Sequence, residues 1–444
     1  MLTVLLFIVG VLIMVVGLAV SIALHEVGHL VPAKRFGVKV GQYMIGFGPT
    51  IFSRMRGETQ YGVKALPLGG YISMSGMFPP AKDGVAGRAS STGFFQTLVQ
   101  DARTASAETI DEGAEERTFY RLPVYKRIVI MLGGPVMNLL IAVVLFAVVL
   151  CGFGVAREST TVGLVNECVL PAGSTATSCP TDATPAPAFA AGLRNGDRIV
   201  SIDGRAMTDG DQVASVLRAS ADTTLDVVVD RDGSERTLQV TPTLSERYVV
   251  DESTGQYEEE ADGTPVTREV GFVGIGFATE TARQPVTAVL PAVWDNVTHV
   301  VDLIIHLPQR LVGVAEAAFG GGERDANGPV SVVGVGRMAG EIVSLDSVPI
   351  VDRAAYVVNL LASLNVALFV FNLIPLMPLD GGHIAGALVE AVRRGFAKLL
   401  RRPDPGPVDT AKVIPLTFAV VILLGGMSVL LVYADIVNPI SLFG

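Results

Sequence analysis

The sequence predicts a polytopic α-helical membrane protein with four transmembrane helices, a membrane-associated β-hairpin or small sheet, and a β-rich domain outside the membrane. Three observations carry that expectation. Half of the 444 residues are hydrophobic and the mean hydropathy is +0.50, beyond the usual range of a soluble domain. Four apolar stretches, Leu2 to Leu30, Ile128 to Phe153, Ala354 to Leu376 and Val413 to Tyr433, are long enough to span a bilayer, whose core of about 30 Å takes about 20 helical residues. The cations are unevenly spread. Gly154 to Arg353 holds no lysine and an acidic excess that includes Glu258-Glu259-Glu260, whereas the short link after the third stretch holds Arg393, Arg394, Lys398, Arg401 and Arg402. The bias of Lys and Arg toward the cytoplasm puts that link inside and the acidic region outside.

The elements follow in order. Residues 1–32 form the first span; the long apolar core and the lack of a basic start argue against a cleaved signal peptide. In residues 33–78, Gly41 to Gly76 is rich in glycine and alternating apolar residues, which predicts short strands and tight turns. Residues 79–126 form a polar cytoplasmic segment, with Pro79 to Glu116 expected as a loop without chemistry. Residues 127–153 form the second span, interrupted at Gly133-Gly134-Pro135.

Residues 154–283 are the outer domain. Val213 to Ala219 is its expected helix. Leu225 to Val229 and Arg236 to Val240 are strands joined at Asp232-Gly233, Ser245 to Val270 is a loop, and Gly271 to Phe277 is a strand. Cys168 and Cys179 lie in its opening loop, either as a disulfide or as two unrelated thiols; Cys151 packs in a span. Residues 284–353 carry an amphipathic helix across Pro285 to Phe319, lying on the outer leaflet or packed on its own domain. Residues 354–383 are the third span and its end, 384–411 a basic cytoplasmic link and 412–436 the fourth span.

Chemistry concentrates at His25-Glu26-Val27-Gly28-His29, at the end of the first span. H-E-x-x-H on a helix stacks two imidazoles on one face, as two ligands of a zinc ion, with the glutamate placed to take a proton from water. Ionisable groups at membrane depth are a functional-site hypothesis by default. A catalytic zinc usually takes a third protein ligand. The candidate is Asp380, in Asn372-Leu373-Ile374-Pro375-Leu376-Met377-Pro378-Leu379-Asp380-Gly381-Gly382-His383. Spans one and three run in the same direction, so the histidine pair and Asp380 end on the same side. His383 is a rival ligand or a support for the ligand shell, with Gly381-Gly382 expected as a turn that sets Asp380 apart. Asn372 either orients a scissile carbonyl and its oxyanion or bonds between helices. Asn138 sits where it could bond near the site, or simply pack.

These three motifs together resemble the site-2 protease family of intramembrane zinc metalloproteases, peptidase family M50. H-E-x-x-H, G-P-x-x-N at Gly134 to Asn138 and the Asn372 to His383 segment carry the resemblance. It is closest to the RseP-like branch and its actinobacterial Rip-type members. The resemblance implies a PDZ-like outer domain, a membrane-reentrant β-loop at Gly69-Gly70-Tyr71 that contacts an extended substrate strand, and the family's G-P segment at Gly328 to Gly334 before span three. It implies Zn²⁺ on His25, His29 and Asp380, with Glu26 as general base. It implies hydrolysis within or near the span of a single-span membrane protein already shortened outside, such as an anti-sigma factor. The chain would be a multi-pass plasma-membrane protein with its active site toward the cytoplasm; lipid is an expected partner and nucleic acid is not. The chain departs from the branch in having one recognisable PDZ-like module, entered through the cysteine loop. Two other readings remain beside the enzyme: a membrane-anchored PDZ scaffold with an inactive metal site, and a metal transporter, which would want polar groups at several depths.

Overall fold

The structure is a computed structural model that describes residues 1–79, 94–110, 113–172, 174, 179–180, 183–249, 264–322, 324–325 and 328–440. It divides into two compact units: Met1–Phe153 with Pro285–Gly444, and Gly154–Gln284.

The first unit opens with α1 (Leu2–Arg35). Its 34 residues are apolar for most of their length, so every backbone bond is made within the helix, as a chain in hydrocarbon requires. Two long strands follow, β1 (Val40–Arg56) and β2 (Thr59–Met74). Both bend, so that residues 42–45 pair with 60–63 on one side and with 70–73 on the other. Residues 70–73 are therefore an outer edge of the sheet. The far part of the hairpin exposes Ile51, Phe52 and Met55, side chains a soluble hairpin would cover.

Next comes α2 (Phe94–Glu108), which corrects the expectation of a loop across Pro79 to Glu116; residues 80–93 and 111–112 of that stretch lie outside the described ones. Its strongly apolar residues, Phe94, Phe95, Leu98 and Val99, are confined to its start, and the rest is polar or small. Polar bonds fix its end instead: the Phe78 N–H donates to Ser106 Oγ at 3.0 Å, the Gly76 N–H to Thr109 Oγ1 at 3.0 Å, and Arg103 pairs with Asp409. Then α3 (Val124–Ala147) runs on through a π-type turn to Phe153. It is continuous through Gly133-Gly134-Pro135, where an interruption was expected. The glycines serve contact rather than breakage: a Cβ on Gly28 would lie 2.1 Å from the Gly133 carbonyl oxygen, so α1 and α3 touch backbone to backbone.

The second unit holds β3 (Val155–Val165), a short α4 (Pro187–Ala190), β4 (Arg198–Ile202), β5 (Arg205–Ala206), α5 (Gly210–Ala219), β6 (Leu225–Arg231), β7 (Ser234–Val240), β8 (Thr243–Tyr248), β9 (Thr267–Phe272) and β10 (Ile275–Ala282). The main sheet runs β10-β3-β4-β6-β7, with β5 beside β4. The two-residue turns Asp203-Gly204 and Asp232-Gly233 have positive φ at both positions, as tight hairpins require. Asp209 caps α5: its carboxylate accepts the Gln212 N–H at 2.8 Å. The core joins Val162, Ile199, Ile202, Val213, Leu217, Val227 and Val229. Cys168 and Cys179 form a disulfide, with Cα atoms 6.0 Å apart. β8 and β9 pair where Ser245 to Val270 reads as a loop. Their mostly polar residues give no apolar alternation to detect, and residues 250–263, with the Glu258-Glu259-Glu260 run, lie outside the described ones.

The chain returns to the first unit with α6 (Val289–Ile305) and α7 (Leu307–Gly320), two helices where one was expected, parted at His306 with proline in the first turn of α7. α6 packs through Val289, Val293 and Val297 against Ala142 and Phe146 of α3 and against Ala362, Val366 and Val370 in the helix Ile350–Asn372. Then come α8 (Val332–Ser344), α9 (Ile350–Asn372), α10 (Asp380–Leu399) and α11 (Ile414–Val437). The basic link expected over 384–411 is thus largely helical. Gly381 and Gly382 lie inside α10; the turn that sets Asp380 apart is residues 373–379. Among the described residues, five helical segments are long and apolar enough to cross a membrane, four of them on α1, α3, α9 and α11, and the fifth Val286–Ile305 around α6.

Candidate metal centre

α1 sets the first half of the site. His25 and His29 lie one turn apart, buried, with their Nε2 atoms 3.1 Å from each other and rings edge to face. The residue 373–379 turn then delivers Asp380 at the first position of α10. Its Oδ2 lies 3.4 Å from His25 Nε2 and 3.3 Å from His29 Nε2. Ligand atoms of these three residues all fall within 4.8 Å of one another.

Donor chemistry tests whether a cation fits. His29 Nδ1 lies 2.7 Å from the Ile130 carbonyl oxygen, which can only accept, so Nδ1 carries a proton and, in the neutral imidazole, Nε2 presents a lone pair. Asp380 Oδ2 is buried without a hydrogen-bond partner. Electron pairs facing one another at these distances repel unless a cation sits between them. A tetrahedron with arms of about 2.0 Å, the zinc–nitrogen distance, has edges of about 3.3 Å, which is the spacing found. The residues present fit zinc.

α3 closes the site from the other side. A Cβ on Gly134 would stand 2.2 Å from His29 Nε2 and 2.6 Å from His25 Nε2, so only glycine leaves the imidazole nitrogens clear. Asn138, fully buried, places its amide 3.0 Å from His25 Nδ1, while the amide oxygen has no partner. Turning that amide over lets the oxygen accept a proton from Nδ1, which leaves His25 Nε2 free to ligate.

Glu26 faces the sheet. A Cβ on Gly70 would meet Glu26 Cγ at 3.1 Å, so the edge of β2 passes beside the carboxylate side chain. The Tyr43 hydroxyl donates to the Ala23 carbonyl at 2.7 Å and ties the sheet to α1. Gly69 takes φ +108° with Phe47 packed over it, and Phe47 stacks on Tyr71 with ring centroids 6.4 Å apart. Asn372 donates to the Leu368 carbonyl at 2.9 Å, within its own helix. His383 stands outside the convergent trio; its ring lies 6.4 Å from that of Phe78, and it lines a cavity of about 10 Å³ with Arg127 and Ala387.

Three features were not read from the sequence. The Ile130 carbonyl carries no side-chain signal. Ser21 and Asn365, both buried, bond across α1 and α9 at 3.0 Å. Glu390, with no exposed surface, pairs with Arg127 of α3 and accepts the Val408 N–H at 2.9 Å. The charge of two residues far apart in the chain announces no pairing, though a lone acid facing an apolar helix side is a hint.

Comparison with known proteins identifies the family. Peptidase family M50 matches residues 13–400. The zinc metalloprotease Rip1 of Mycobacterium tuberculosis is 33% identical over 446 residues, covering 98% of this chain and 99% of the relative. Rip1 of Mycolicibacterium smegmatis is 32% identical over 98% and 99%. The metalloprotease MmpA of Caulobacter vibrioides is 29% identical over 87% of this chain and 88% of its own. A family match over residues 13–400, with a relative 33% identical across nearly the whole chain, makes this protein a member of peptidase family M50, the site-2 proteases.

Proposed function

We propose that the chain is an intramembrane zinc endopeptidase in which His25, His29 and Asp380 hold the metal and Glu26 is the general base. The convergence of three ligand atoms within 4.8 Å, from helices far apart in sequence, carries this reading. Bound zinc supplies Lewis acidity, making a water more acidic and a peptide carbonyl more electrophilic. The protein does the rest. Glu26 accepts a proton from water and returns it to the leaving amine. The Ile130 carbonyl and Asn138 hold the imidazoles in register. Asn372 orients the scissile carbonyl or its oxyanion, for which its Leu368 bond must be exchanged. Residues 70–73 offer a strand edge to a substrate segment unwound from its helix, with Gly69, Gly70 and Tyr71 beside the reacting bond.

Four spans are the topology this requires. The ends of α1 and α9 meet at the metal residues, so both run the same way through the membrane. A crossing by α6 would need another crossing before α9. α7 and α8, with 14 and 13 residues, reach only about 21 Å and about 20 Å. α6 is therefore a helix packed beside the spans. The Lys and Arg of the α10 link support a metal site toward the cytoplasm and a second unit that is an outer, PDZ-like domain. Its substrates are single-span membrane proteins shortened first on the outer side, of the anti-sigma-factor kind, and the PDZ-like domain acts as a size filter.

Purified protein should contain about one zinc per chain, lost in His25→Ala. Glu26→Gln should keep the zinc and cleave a single-span model substrate about 10²- to 10⁴-fold more slowly. Cleavage at the native rate by Glu26→Gln refutes the assignment.

A further inference from the structure

α10 is not among the helices apolar enough to span, yet one side of it is apolar and uncovered. Leu388, Val392, Phe396 and Leu399 recur at helical spacing, with Phe396 60% and Leu399 76% exposed. The opposite side turns inward through Ala387 and Glu390. Beside the stripe stand Arg393, Lys398, Arg401 and Arg402, all exposed and without a carboxylate partner among the described residues. Arg394 differs, being engaged by Glu390 at 3.1 Å and Asp404 at 3.4 Å. Both ends of the helix are tethered to spans: α9 ends at Asn372 and α11 begins at Ile414. The helix is thereby confined to one membrane surface.

We propose that the second half of α10, Leu388 to Arg402, is an interfacial helix that binds anionic phospholipid. Its stripe lies in the acyl boundary and the four free cations take the headgroup phosphates. An amphipathic face flanked by unpaired cations matches a lipid that is both acyl and anionic. A soluble polyanion would neutralise the cations and leave the stripe in water. The reading rests on the four-span topology for the leaflet concerned, which is the cytoplasmic one. It does not depend on proteolysis. Because α10 begins with Asp380, its seat on the bilayer bears on the metal residues.

The test uses the full chain in nanodiscs of equimolar phosphatidylglycerol and phosphatidylcholine. Native mass spectrometry should show phosphatidylglycerol enriched several-fold among retained lipids. Combining Arg393→Gln, Lys398→Gln, Arg401→Gln and Arg402→Gln should bring that ratio down to the bulk value while zinc content stays unchanged. An equal ratio in both proteins overturns the proposal, as does a dimer held through the stripe. A second readout needs no charge change. In a Trp294→Phe background, Phe396→Trp should give fluorescence quenched by acyl-brominated lipid; quenching by aqueous iodide instead would overturn it.

Discussion

Two buried arginine–carboxylate pairs sit toward opposite ends of α1, and they differ in what surrounds them. Arg127–Glu390 joins α3 to α10. One turn past Arg127 is Ile130, whose carbonyl fixes His29, and the N-terminus of α10 is Asp380. Arg324–Asp435 ties the segment before α8 to the end of α11; Asp435 also accepts the Ser331 N–H at 2.7 Å, and Arg324 donates to the Pro329 carbonyl at 2.8 Å. α8 meets α1 near Gly10, about 27 Å along the helix from Gly28. Both pairs are costly to desolvate and costly to break. Only the first lies on the helices that assemble the proposed metal residues. Similar chemistry thus serves assembly at one end and site geometry at the other.

The largest expected effect comes from closing the glycine gap. Gly134→Ala should fold but lose zinc, from about one per chain to none by metal analysis, because its methyl group occupies the space beside both Nε2 atoms. Retained stoichiometric zinc would mean the imidazoles ligate elsewhere. Next, Glu390→Gln and Asp435→Asn should each lower unfolding stability by about 3 kcal/mol. They should part in zinc affinity, where Glu390→Gln weakens binding about 10-fold and Asp435→Asn leaves it unchanged within about 2-fold. Equal zinc losses in a competition titration would erase the contrast between the two ends. Asn138→Ala is expected to weaken zinc by about 10- to 100-fold, with the fold intact by circular dichroism.

The smallest effect is in the second unit. Burial pushes the Asp197 carboxyl up, but Arg231, with two bonds of 2.6 Å, and the Arg194 N–H at 2.9 Å hold it below the usual carboxylate value. A folded value below the unfolded one, about 3.9, gives stability present above that pH and lost as pH falls through the folded value. Asp197→Asn should therefore lower the unit's thermal midpoint at about pH 5 and much less at about pH 2. A deficit that is constant with pH would argue that the pair is not what Asp197 contributes.

The chain announced its apolar helices and its histidine pair clearly, for a physical reason. Hydrocarbon forces long unbroken apolar runs, and a charged motif beside one stands out. The position of Asp380 beside the histidine pair was reachable because the direction of the long apolar helices limits which segments can meet there. Helix α2 was not, since the bonds that Ser106, Thr109 and Arg103 make with distant residues leave no local signal in the sequence. The α3 glycines read locally as a break, whereas their role is set by Gly28 on another helix. The β8–β9 pair lacks the alternation that marks a half-buried strand. Arg127–Glu390 joins residues separated by most of the chain, and charge alone does not name a partner.

Zinc-edge X-ray absorption on the purified full chain tests the central claim most directly. The account predicts a shell with two imidazole nitrogens and carboxylate oxygen at about 2.0 Å, which loses an imidazole in His29→Ala and its carboxylate in Asp380→Ala. A spectrum unchanged by Asp380→Ala, or one with sulfur in the shell, would contradict it.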